Sequence, residues 1–163
     1  LVHQGIMKIT LFFCAGAIAE TLHVHRVSQM AGLGRRMPWT MAAFTVGALG
    51  MIGAPPTAGF ITKWFLGLGA LEAGQGWVVA VLAASSLLNA GYFLPILYTA
   101  WLREPAAPWP EGHHRFEAHG MLLAPPLVTA ALTLLLGTLA HMPFSALQWS
   151  HLIVSREFGT WLQ

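Results

Sequence analysis

The chain has two lysines, Lys8 and Lys63, and both stand in runs of apolar residues. A lysine inside a membrane span costs about 2.5–3.5 kcal/mol on insertion scales, and such residues mark ion or proton paths. The chemistry this points to is reversible protonation. The competing reading of Lys8 is an amine near a helix end that reaches back to the headgroups. His3 and Gln4 lie about one helical turn before Lys8. A histidine there can hand on a proton through water, or it can simply bond a neighbouring helix. Lys63 follows the Pro55-Pro56 pair, where a broken helix exposes backbone groups to water. Its alternative role is an interfacial anchor. Ser85, Asn89 and Tyr92 recur at i, i+4 and i+7, on one helical face. Hydroxyls and amides both donate and accept, so this face could order a file of waters. It could equally bond an adjacent helix. The expected proton-relay set is therefore Lys8, His3, Lys63, Ser85, Asn89 and Tyr92.

Other chemistries find little support. His113, His114 and His119 lack a Cys or Asp partner, and structural zinc sites use tighter Cys/His spacing, so no metal is expected. There is no Gly-rich phosphate loop, no Ser/His/Asp set and no CxxC. The single Cys14 allows no disulfide framework. No site for NADH, flavin or an iron–sulfur cluster is visible, so no cofactor is expected and no catalytic or redox site of the chain's own.

Composition says what must position these residues. Of 163 residues, 56% are hydrophobic and 9% charged, with mean hydropathy +0.63. An ordinary soluble domain carries about 25% charged residues. So few charges cannot cover a water-facing sphere, which leaves an integral membrane protein. A net charge of +2 gives no reason to expect a nucleic-acid partner. The chain opens with Leu1 inside an apolar run, without a basic leader segment, and reads as a piece of a longer polytopic protein.

A span needs roughly 20 apolar residues. Candidates are 4–22, then 38–54 and 58–71 separated by Pro55-Pro56, then 77–102 and 119–140. Residues 77–102 contain no Asp, Glu, Lys or Arg, and Trp77 and Trp101 bracket them as interfacial aromatics do. Polar connectors cover 23–36 and 103–117. The segments on either side of the proline pair are short, forming either a hairpin of two short spans or one irregular unit. Broken backbone inside a bilayer is tolerated only where protein or a water-filled cavity surrounds it. In 143–163, Phe144, Leu147, Val154, Phe158 and Trp161 repeat at three- or four-residue spacing with a gap at His151, which suits an amphipathic helix or a further span. The expected fold is all-α, a polytopic transmembrane bundle of about five spans with one Pro-broken region. Residues 1–142 form its transmembrane domain and 143–163 the C-terminal helix.

Three strings carry a family resemblance. They are Lys8-Ile-Thr-Leu-Phe-Phe-Cys-Ala-Gly-Ala-Ile18, Gly32-Leu-Gly-Arg-Arg-Met-Pro-Trp-Thr-Met41 continuing to Gly53-Ala-Pro-Pro-Thr-Ala-Gly-Phe-Ile-Thr-Lys-Trp64, and Leu88-Asn-Ala-Gly-Tyr-Phe-Leu-Pro-Ile-Leu-Tyr98. Together they resemble the proton-pumping membrane subunits of respiratory complex I and the Mrp-type cation/proton antiporters, closest in flavour to the D-type member of the Mrp set. The resemblance implies a bundle of about fourteen helices in two inverted halves, of which this chain is the C-terminal part from about the eighth helix. It also implies that Lys8 is the central relay lysine and that Lys63 is the lysine after the Pro-Pro-x-Ala-Gly-Phe turn. Two positions depart from the pattern. The family's histidine four residues before the relay lysine is Gln4 here, with His3 about 100° off that face. An arginine after the Leu-Pro-Ile run is Thr99 here.

The resemblance implies part of a proton (or cation/proton) translocating subunit of a complex I-like oxidoreductase or an Mrp-type antiporter. Its partners would be the lipid bilayer, other membrane subunits, protons and, where a cation is exchanged, Na⁺ or K⁺, with residence in a bacterial-type inner membrane. The competing reading is a non-transporting structural subunit or degenerate fragment of the same kind of complex.

Overall fold

The computed structural model describes residues 2–105 and 117–140, together with residues 149, 152, 153, 155 and 156. The regular structure among these residues is helical. Helix α1 covers Val2–Leu22, α2 Leu33–Arg36, α3 Pro38–Ile52, α4 Ala58–Glu72, α5 Trp77–Leu102 and α6 Gly120–Thr138, with one 3-10 turn at Val27–Gln29. Three of them, α1, α5 and α6, are long and apolar enough to cross a membrane. Helices α3 and α4 have 15 residues each. At 1.5 Å per residue each reaches about 22 Å, short of the roughly 30 Å of hydrocarbon. The chain is an integral, multi-pass membrane helix bundle.

Helix α3 lies at the centre. It packs on α1, α6, α5 and α4, while α1 and α6 also pack on each other. Lipid is as apolar as leucine, so helices in a membrane associate by close packing rather than by hiding from water. Small residues serve that purpose on α3, where Ala43, Gly47, Ala48 and Gly50 are buried. Met7, Thr10, Cys14 and Ala17 supply the facing stripe of α1 at three- and four-residue spacing. Towards α5, Phe44 meets Phe93 edge-on with ring centroids 6.4 Å apart, a geometry worth about 0.5–1.5 kcal/mol beyond its area.

The break after α3 has two local causes. Gly53 takes a left-handed conformation, φ 89°, that L side chains rarely adopt. Its N–H bonds the Gly50 carbonyl at 3.1 Å and that of Ala54 bonds Leu49 at 2.9 Å, the paired closure that ends many helices. Pro55 and Pro56 then cannot donate to a continuing helix. The chain restarts at α4 close against α3, because Gly59 has no side chain. A Cβ there would collide with the Gly50 oxygen.

The start of α3 is completed from far away. Met37 precedes it and offers no capping oxygen, and Pro38 at the first position has no N–H. The next two amides are taken by Glu117, which accepts from Trp39 N at 2.8 Å and from Thr40 N at 2.5 Å, and also from the Thr40 hydroxyl at 2.8 Å. Glu117 is only 8% exposed. The reading of residues 103–117 as one polar connector therefore needs correcting at its end, where this carboxylate is buried as a helix cap. His119 caps α6, its ring accepting from Met121 N at 3.4 Å. His113 and His114 lie outside the described residues. So does most of 143–163, and with it the choice between an amphipathic helix and a further span. Trp149, Leu152, Ile153, Ser155 and Arg156, the parts of it that are described, are helical and exposed.

Candidate functional site

The break between α3 and α4 brings a lysine onto the end of a helix. The last carbonyls of any helix lack internal partners and form the negative end of its dipole. Lys63, on α4, sends its ammonium back to them. Nζ donates to Met51 O at 3.2 Å, to Ile52 O at 2.9 Å and to the Ser86 hydroxyl of α5 at 2.7 Å. An ammonium has three hydrogens, and all three are used. Gly53 makes room for the stem, since a Cβ there would stand 2.9 Å from Lys63 Cδ and 3.4 Å from Nζ. Lys63 and Ser86 also line a cleft of about 330 Å³ between α4 and α5, whose other walls include Phe60, Trp64, Leu68 and Leu82.

The other expected residues fall into three groups. His3 is half-buried, with Nδ1 2.8 Å from the Thr62 hydroxyl, and that hydroxyl donates to Ala58 O at 3.0 Å. If the Thr62 proton goes to Ala58, Nδ1 carries the hydrogen in the first bond. His3 thus leads to α4, beside Lys63 in the chain, and not to Lys8. Lys8 is exposed and has no hydrogen-bond or ion-pair partner among the described residues. The reason is rotational. His3, Met7 and Thr10 share the packed face of α1, and Lys8 stands about 100° on from Met7.

Ser85 and Tyr92 are exposed, and Asn89 donates to the Ser85 carbonyl at 2.9 Å within its own helix. Tyr92 sits edge-on to Phe93, centroids 5.0 Å apart. None of the three reaches Lys63. The hydroxyl that does is Ser86, which sequence reasoning missed. The adjacent pair Ser85-Ser86 offers two faces of α5 about 100° apart. Spacing to Asn89, four residues from one and three from the other, does not choose between them.

The fold and the site define a class, a multi-pass membrane helix bundle with a Pro-broken helix and a lysine seated on the broken end. Residues 1–89 match the family described as NADH:quinone oxidoreductase/Mrp antiporter, transmembrane, and the chain belongs to that family. It is 44% identical over 143 residues to "NADH-quinone oxidoreductase subunit N" of Desulforudis audaxviator (strain MP104C), covering 82% of this chain and 28% of that protein. It is 34% identical over 139 residues to "NADH-quinone oxidoreductase subunit N 1" of Streptomyces griseus, covering 80% of this chain and 27% of that protein. Its fold matches the structure of the Mrp complex from Dietzia sp. DQ12-45-1b with TM-score 0.74 and 28% identity, over 86% of this chain and 34% of that one. The chain thus spans 28% of the first relative and 34% of the structural neighbour. These relatives establish the family on both its complex I and Mrp sides without singling out the D-type Mrp member.

Proposed function

We propose that the chain is part of a subunit that moves protons, or exchanges a cation for protons, across a membrane within a complex I-like or Mrp-type assembly. The observation that carries this is Lys63, an amine held between helices by backbone carbonyls of a broken helix and by a hydroxyl beside a cleft. Neutral partners of this kind hold a charge without an opposing carboxylate. Among the described residues no carboxylate pairs with Lys63, so none there locks the proton in place. Lys8, on the uncovered face of α1, is the point at which protons enter from residues outside this set. His3 and Thr62 brace α1 against α4 and supply groups that both donate and accept. Other membrane subunits, surrounding lipid and a coupled ion, Na⁺ or K⁺ where exchange occurs, are the partners this reading requires.

The test is proton flux from the full-length protein in its complex, reconstituted in vesicles with an internal pH dye. Removing Lys8 or Lys63 (Lys8→Ala, Lys63→Gln) is expected to lower flux at least about tenfold with the complex still assembled. Wild-type flux in both variants ends the proposal. A second reading, a non-transporting structural subunit, is favoured by Gln4 in the histidine position and by the partnerless Lys8. It predicts that wild-type assemblies containing this subunit conduct no faster through it than the Lys63→Gln form.

A further inference from the structure

The three acceptors around Lys63 Nζ are not equivalent, and this bears on how the proton leaves, given the reading of Lys63 as a relay group. Met51 and Ile52 present carbonyl oxygens, which can only accept. Ser86 presents a hydroxyl, which can accept or donate. The charged amine suits all three. The neutral amine keeps two hydrogens and gains a lone pair. A lone pair directed at a carbonyl oxygen faces another lone pair. Among these three partners only the Ser86 O–H can turn and donate to nitrogen.

We infer that Ser86 is the group through which Lys63 exchanges its proton. The hydrogen on Nζ that points at Ser86 crosses to Oγ as the hydroxyl's own proton passes to water in the cleft between α4 and α5. One N–H bond breaks and one O–H bond forms on Oγ. A second O–H bond on Oγ breaks as one forms on water, which carries the positive charge away. Serine stays neutral throughout and is left donating to the neutral amine, so the transfer itself creates the bond that stabilises its product. Uptake is the same sequence reversed.

Two features of the site support this. The Nζ–Oγ separation is 2.7 Å, the shortest of the three contacts and within the range of strong charge-assisted bonds. Ser86 and Lys63 also line the same cleft, among apolar residues. The cleft, about 330 Å³, has room for water, and Lys63 and Ser86 supply polar partners for a water at their end of it.

The experiment compares Ser86→Thr with Ser86→Val in the full-length assembled complex, with Ser86→Ala and Lys63→Gln alongside. Threonine and valine have nearly the same shape and differ in the hydroxyl, so damage to packing falls on both. Flux is read in vesicles in H₂O and in D₂O. The expected result is Ser86→Thr within about twofold of wild type, and Ser86→Val and Ser86→Ala reduced at least about tenfold with a larger solvent isotope effect. Equal flux and equal isotope effect in the threonine and valine forms overturn the role of Ser86. If Lys63→Gln abolishes flux at the same time, the reading of Lys63 survives that failure. If Lys63→Gln conducts like wild type, the relay reading itself is lost.

Discussion

The two ends of α3 are gripped in the same way by opposite charges. At its start a carboxylate from residue 117 takes two backbone amides and the Thr40 hydroxyl. At its end the Lys63 ammonium takes two backbone carbonyls and the Ser86 hydroxyl. Each charge meets the favourable end of the helix dipole. The difference lies in what surrounds the grip. Glu117 is buried, and the hydroxyl it holds belongs to α3 itself. Lys63 is only half-buried and stands beside a cleft, and its hydroxyl belongs to a different helix. The first arrangement closes a helix. The second joins three helices around an ammonium that borders a cleft. A charge on a helix terminus is thus not in itself a functional mark, and access decides which of the two it is.

Substitutions at the two ends should separate these roles. The largest effect is expected from Lys63→Gln, with flux per assembled complex reduced at least about tenfold. Thermal unfolding in detergent should move little by comparison, since the glutamine amide can still donate to a freed carbonyl. Glu117→Ala should do the reverse. It strands the buried Thr40 amide and hydroxyl and the part-buried Trp39 amide and should cost about 2 kcal/mol of stability, while flux per folded molecule stays near wild type. A fall in that specific flux as large as for Lys63→Gln would erase the contrast between the ends. Gly53→Ala sits between the two. Its φ of 89° and the 2.9 Å approach to the lysine stem lead to an expected loss of about 1–2 kcal/mol together with a partial loss of flux. Thr62→Val should have the smallest effect, about 0.6 kcal/mol for one interhelical bond. Its thermal shift measures how firmly His3 ties α1 to α4.

The element boundaries were legible because their causes are local. The expected span at 77–102 coincides with α5, since the Gly76 and Trp77 pair opens it and Arg103 closes it. The break between α3 and α4 follows from Pro55 and Pro56, and Lys63 stood out as a charge just beyond it. The face of α5 that meets Lys63 is harder to place. That helix is apolar on every side, with Leu87 and Leu88 about as exposed as each other, so polarity alone cannot say which stripe meets a neighbour. Spacing singles out Ser85, whereas the hydroxyl that meets Lys63 is that of Ser86, one residue on. For α1 the same ambiguity put His3 and Lys8 in one chain of transfer, whereas the packed face carries His3 to Thr62 and leaves Lys8 outside.

Sequence alone determined that this is a membrane protein, that it is helical, where α1, α3, α4, α5 and α6 lie to within a few residues, and which proline pair interrupts them. Each of these rests on hydropathy or backbone restriction over neighbouring residues. Only the tertiary structure decided the partners. The capping of α3 by Glu117 joins positions 77 and 78 residues apart, and Lys63 meets Ser86 across 23. Contacts at such separations depend on how each helix is rotated about its axis. In a chain whose helices are apolar all round, that rotation is set by the packing of small side chains against one another and not by any pattern that a single helix displays.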